Sequence, residues 1–151
     1  MKNVSWTGLF VIATCVVLSG CATTSQAPSP SEQASNIQIP SLKVVIDCGS
    51  CQVRTNIPSL ILDGYKEAAA KSGVFIAPTV DALVTIKKYS DRDDTVRLLV
   101  GIFAGKDEIQ AVVTYQSKQF LVEDYYRNAW LGIESLATKI GWMIFEEIKK
   151  Q

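Results

Sequence analysis

Asp107–Tyr126 reads DEIQAVVTYQSKQFLVEDYY. Ile109, Ala111, Val113 and Tyr115 alternate with Gln110, Val112 and Thr114, the two-residue period of a strand with one face buried. Lys118–Tyr126 resumes after a polar break. The stretch therefore predicts an antiparallel hairpin turning near Gln116–Lys118. A sheet that buries one face needs a second layer, and the flanking sequence supplies helical patterns to provide it.

Downstream, Ala129–Lys150 predicts the longest helix. Trp130, Ile133, Ala137, Ile140, Ile144 and Ile148 fall on one face, broadened by Leu136 and Met143. Glu146 and Lys150 stand at i,i+4 spacing and are expected to pair, and the closing lysines suit the helix dipole. Upstream, Ala82–Ser90 and Val74–Ala77 read as strands separated by a break at Pro78 and Asp81. Ile57–Ser72 predicts a helix with Ile57, Leu60, Ile61, Tyr65, Ala68 and Ala69 inward, Asn56 as N-cap, Pro58 in the first turn and Gly73 as the C′ residue. Leu42–Asp47 is a β-branched strand. The expected fold is α+β in the order β-α-β-β-β-β-α, with two helices on one face of a mostly antiparallel sheet.

The 151 residues carry 15 basic and 15 acidic side chains. Such a balance lacks the electrostatic footprint of a nucleic-acid binder, and no Lys/Arg cluster suggests a polybasic membrane patch. The chain contains no histidine, which excludes Ser–His and Cys–His catalysis and the commonest zinc ligand set.

The N-terminus has the build of a targeting segment. Lys2 precedes the uncharged ten-residue core Leu9–Leu18 (LFVIATCVVL), followed by Ser19, Gly20 and Cys21. As a helix that core spans about 15 Å, half the hydrocarbon thickness, so it suits a signal peptide better than a permanent span. Cys15 lies within the core and would leave with it. Ala22–Pro40, rich in Ser, Thr, Pro and Gln with Glu32 as its only charge, reads as a tether spanning about 25 Å on average. The expected organisation is a signal peptide at 1–20, a tether at 21–40 and one α+β domain at 41–151.

Leu18-Ser19-Gly20-Cys21 closely resembles the lipobox of bacterial lipoproteins. The resemblance implies diacylglyceryl transfer to the Cys21 thiol, cleavage before Cys21, and acylation of the new amine. Each buried methylene adds roughly 0.8 kcal/mol and stable anchoring takes more than one chain, which a triacylated cysteine provides. By resemblance to Gram-negative sorting rules, Ala22 rather than Asp after the cysteine favours the outer membrane over the inner one. No cofactor is expected apart from this covalent lipid.

Three segments could carry chemistry. Cys48-Gly49-Ser50-Cys51 admits a structural disulfide, a thioredoxin-like redox pair or a metal site. Export favours the disulfide, the five residues before the expected helix disfavour a helix-activated thiol, and one CxxC offers only two ligands. Asp91-Arg92-Asp93-Asp94 is expected to be a solvated turn rather than a calcium loop. Arg97–Lys106 (RLLVGIFAGK) is apolar and broken by Gly101 and Gly105, four apart. It is either a buried connector, close to the sheet at its glycines, or a surface touching a partner or membrane through Arg97, Gly101, Phe103 and Gly105. Trp130, Trp142, Tyr125 and Tyr126 are read first as packing and second as a ligand surface.

From Ala82 (ALVTIKKY) through Arg97–Gly105 and the Glu108–Tyr115 strand to the last helix, the chain is similar to a family of uncharacterised Gram-negative lipoproteins with an Arg-Leu-Leu-Val-Gly-x-x-Ala-Gly signature. That resemblance implies an envelope location and no established catalysis. The function expected is a lipid-anchored, non-catalytic binding or assembly module facing the periplasm, with another envelope protein as partner. The alternative is a thiol-disulfide oxidoreductase using Cys48 and Cys51. A subunit of a secretion or conjugation machine is a weaker third reading.

Overall fold

The computed structural model describes residues 37–100, 103 and 105–151, without the side chains of Asp94, Val96 and Arg97. The expected signal peptide, Cys21 and most of the expected tether lie outside these residues.

The element order is β1 (Gln38–Ile46), α1 (Ile57–Lys71), β2 (Phe75–Ser90), α2 (Asp94–Val100), β3 (Asp107–Tyr115), β4 (Lys118–Tyr126) and α3 (Ile133–Lys149). The strands form one mixed sheet in the order β1-β2-β3-β4. β1 runs parallel to β2, and the other two pairs are antiparallel. This is an α+β fold. β1 begins at Gln38, three residues ahead of the expected domain boundary, with Ile39 buried.

The hairpin forms as its alternation predicts, from Asp107↔Tyr126 to Tyr115↔Lys118. Gln116 and Ser117 both take positive φ, 48° and 64°, the handedness that lets a two-residue loop follow the strand twist. The two short strands expected upstream are one strand, β2. Its pairing with β1 skips from Pro40↔Ala77 to Ser41↔Asp81. Pro78, Thr79 and Val80 are thus the extra residues of an irregularity in a continuing edge ladder, where a missing N–H is tolerated.

α1 ends as its sequence predicts. Gly73 has φ +64°. Its N–H donates to Ala70 O and that of Val74 to Ala69 O, at 3.2 and 3.0 Å, the paired bonds of a Schellman cap. At the other end Asn56 occupies the cap position but makes no side-chain cap bond. Its amide donates instead to Glu134 Oε1 at 2.8 Å. α3 starts four residues later than expected. Asn128 Oδ1 accepts the N–H groups of Trp130 and Leu131 at 3.1 and 2.6 Å, holding this stretch in a turn, and Gly132 is the cap. At the C-terminus Lys150 pairs with Glu147 at 2.6 Å, not with Glu146 as expected.

Alternate strand positions (Ala82, Val84, Ile86; Ile109, Ala111, Val113; Val122) share one buried cluster with Ile57, Ile61 and Tyr65 of α1 and Leu136, Ile140, Ile144 and Phe145 of α3. The helices meet at Gly64 and Gly141, where neither has room for a Cβ.

Candidate functional site

The end of the sheet where β2 finishes carries the features that packing does not explain. Between Ser90 and Asp107 the chain leaves the sheet, forms α2, and returns. Arg92 clamps the base of this excursion. Its backbone N–H donates to Asp107 Oδ1 at 2.8 Å and its Nη2 to Asp107 Oδ2 at 2.9 Å. The two side chains are 4% and 0% exposed. Nη2 also donates to Asn128 O at 2.9 Å, and Nη1 to Gly105 O and Arg127 O, each at 3.4 Å. One guanidinium thus ties the start of the excursion, its end and the β4–α3 connection together. A planar fork with five donors can do this, which an ammonium cannot.

The Asp91–Asp94 turn is therefore not simply solvated, as its composition suggests. Asp91 accepts from Arg54 Nη2 at 3.2 Å and pairs with its Nε, and the carboxylate raises the arginine pKa further. This links the turn to the loop after the cysteine pair. Asp93 Oδ1 accepts the Thr95 N–H at 2.8 Å, satisfying an open donor at the start of α2. Ser90 Oγ donates to Lys106 O at 3.3 Å. Lys106 and then Lys88 bond to Glu108 and hold its pKa below the ordinary value.

Above this clamp the described side chains point out. Leu98, Leu99 and Val100 of α2 are exposed, Leu99 at 79%, and Phe103 at 85%. The described part of the Arg97–Lys106 segment is thus an apolar ridge and not a buried connector. Of the four expected contact residues, Phe103 is on the ridge. Gly105, at φ +90°, is part of the clamp through its carbonyl. The side chain of Arg97 and all of Gly101 lie outside the described residues. The β4–α3 connection emerges at the same end of the sheet and adds Trp130, 87% exposed, with Leu131 and Tyr125. Trp130 does not pack on the helix as expected, because α3 starts beyond it. Trp142 and Tyr126 are partly buried against the core.

Cys48 and Cys51 form a disulfide across a turn, with Cα atoms 5.6 Å apart and Gly49 at φ +67°. α1 begins at Ile57, so neither sulfur sits at a helix N-terminus, where a thiolate would be stabilised. Among the described residues no group of three or more Cys, Asp or Glu side chains is arranged to hold a metal ion. No described helix is long and apolar enough to cross a membrane.

Arg92 was missed as a site residue, and Trp130 was read first as packing and only second as a ligand surface. Asp107, fifteen residues from Arg92, gives no local sign of the pair. The Asn128 and Gly132 flanking Trp130 did give a signal, since both residue types favour helix boundaries.

No family model matches the chain, and no curated protein does. Among solved structures, the dodecamer of a PelC point variant from Paraburkholderia phytofirmans is similar at 9% identity and a TM-score of 0.43, over 77% of this chain and 88% of that one. That likeness is too slight to bear on function.

Proposed function

We propose that this protein is a lipid-anchored envelope lipoprotein, attached through Cys21, whose domain faces the periplasm as a non-catalytic binding or assembly module. The contact surface is the ridge of Leu98, Leu99, Val100 and Phe103, extended by Trp130. The observation that carries this reading is large apolar side chains held out to solvent above a buried base tied by the Arg92–Asp107 pair. Monomeric domains seldom expose apolar side chains in this way unless something covers them, and Trp and Phe are enriched where binding energy concentrates.

The topology favours a protein partner over the anchoring bilayer. β1 enters the sheet beside Phe75, at the start of β2, and the ridge follows the end of β2 at Ser90. At 3.3 Å per residue the two ends are roughly 40 Å apart. A free chain spanning the 17 steps from Cys21 to Gln38 averages about 23 Å. With the strands upright on the membrane, touching it with the ridge would draw that chain well beyond its average length.

Two experiments test this. Replacing Cys21 with Ser should abolish palmitate labelling and release the protein from membranes, and retained labelling would defeat the anchor. A photocrosslinker at Phe103 or Leu99 in living cells should capture one defined envelope protein, and one at Lys66 on α1 should not. Capture of lipid alone from the ridge would replace the protein partner with a membrane.

A further inference from the structure

A second unexplained surface lies along the edge of the sheet, away from the ridge. β4 is an edge strand, paired among the described residues only with β3. Its outward backbone groups are therefore open to another strand. α3 runs antiparallel beside it and is joined to it at both ends. Lys118 Nζ donates to Gln151 Oε1 at 3.0 Å, and Lys139 pairs with Asp124. Between these ties the strand and helix part to leave a groove of about 410 Å³. Leu121, Trp142 and Met143 give it apolar walls, and Glu123, Glu146 and Glu147 supply carboxylates. Its one cation, Lys139, is engaged by Asp124, which raises its pKa. Glu147 is paired with Lys150, and Glu146 has no ion pair among the described residues.

We propose that this groove takes an extended segment of another protein, one that alternates apolar and basic residues and adds to β4 as a fifth strand. An unpaired ladder supplies backbone hydrogen bonds, and an adjoining groove selects alternate side chains; together these make a strand-addition site. The excess of carboxylates over free cations sets the sign of the charge on the occupant. The chain's own residues 22–36 do not fit, because their only charge is Glu32 and they precede β1, the strand at the opposite edge. A second copy's β4 brings Glu123 and Asp124 against the same carboxylates. A second copy's β1 offers a single basic residue, Lys43, to three glutamates.

The test uses the full chain in detergent micelles and a capped seven-residue peptide alternating arginine and leucine. Saturable binding is expected, with amide exchange slowed over Phe120–Tyr126. Methylating alternate backbone nitrogens of the peptide should abolish binding in one phase and spare it in the other, since only one edge of the peptide faces β4. The double variant Glu146→Lys, Glu147→Lys places cations in the last turns of α3, where the helix dipole accepts them. It should fold normally and bind about tenfold more weakly. The proposal is overturned by absence of saturable binding, by equal binding of a peptide with glutamate in place of arginine, or by indifference to methylation in both phases. It is also overturned if the chain alone self-associates with β4 protected, which would make a second copy the occupant.

Discussion

Gly64 on α1 and Gly141 on α3 lie where the two helix backbones cross. A methyl group at position 64 would stand 2.1 Å from the Thr138 carbonyl oxygen, and one at 141 would stand 2.1 Å from that of Ile61. Both obstacles are backbone, which side-chain rotation cannot clear. In an open helix Gly→Ala stabilises by up to about 1 kcal/mol. Here overpacking should reverse the sign, with a loss of about 1–3 kcal/mol or more for either Gly64→Ala or Gly141→Ala. Urea midpoints of the two variants check this, and a gain in either would mean that the helices are not in contact there.

Arg92 and Asp107 make a second test. A buried pair adds little net stability over an apolar replacement, yet removing one partner strands the other's charge and costs about 3–5 kcal/mol. Arg92→Met should lose that much in chemical unfolding. The double variant Arg92→Met, Asp107→Leu should recover much of it. Hydrogen exchange in α2 should accelerate in both, because the three-way tie to Gly105, Arg127 and Asn128 goes with the guanidinium.

The disulfide closes a very short loop. Loop-closure entropy then limits its contribution to about 2 kcal/mol. The Cys48→Ser, Cys51→Ser variant should therefore stay folded, with a modestly lower melting temperature and unchanged ridge crosslinking. Thiol-dependent reduction of insulin by the wild-type chain, absent in this variant, would move the function to the oxidoreductase reading.

Alkaline pH should destabilise the fold. Burial, with the Asp91 carboxylate beside it, pushes the Tyr89 phenol from 10.0 up to about 12. Tyr65, which donates to Pro40 O at 2.7 Å, is raised further, chiefly by burial. Between about pH 10 and 12 the native state thus holds protons that the unfolded chain has released, so stability falls as pH rises. Unfolding midpoints measured from pH 8 to 12 should decline, and Tyr89→Phe should decline less steeply.

The hairpin, α1 and its glycine cap were legible because their signals are local: period two, period 3.6, and Gly73 one step past the last turn. What was not legible depended on distant partners. Pro78 and Asp81 mark an irregularity, but only pairing with β1 decides that the strand continues through it. Trp130 falls at helical spacing from Ile133, yet the Asn128 side chain takes the backbone donors that a helix would need. Arg92 sits in an acidic run whose composition reads as solvated, and its burial comes from Asp107 across the excursion. The glycines at the helix crossing did leave a trace. Two glycines inside otherwise strong helices are costly unless something presses close.

The parallel pairing of β1 with β2 has a mechanical consequence. If the chain is held through its N-terminal side and gripped at the ridge, pulling draws Gln38 one way and Ser90 the other, along the strand axis. β1 and β2 are then loaded in shear from Gln38↔Phe75 to Ile46↔Ile86. The rungs of that ladder must give way together and not one after another, so the domain would resist force applied along that line.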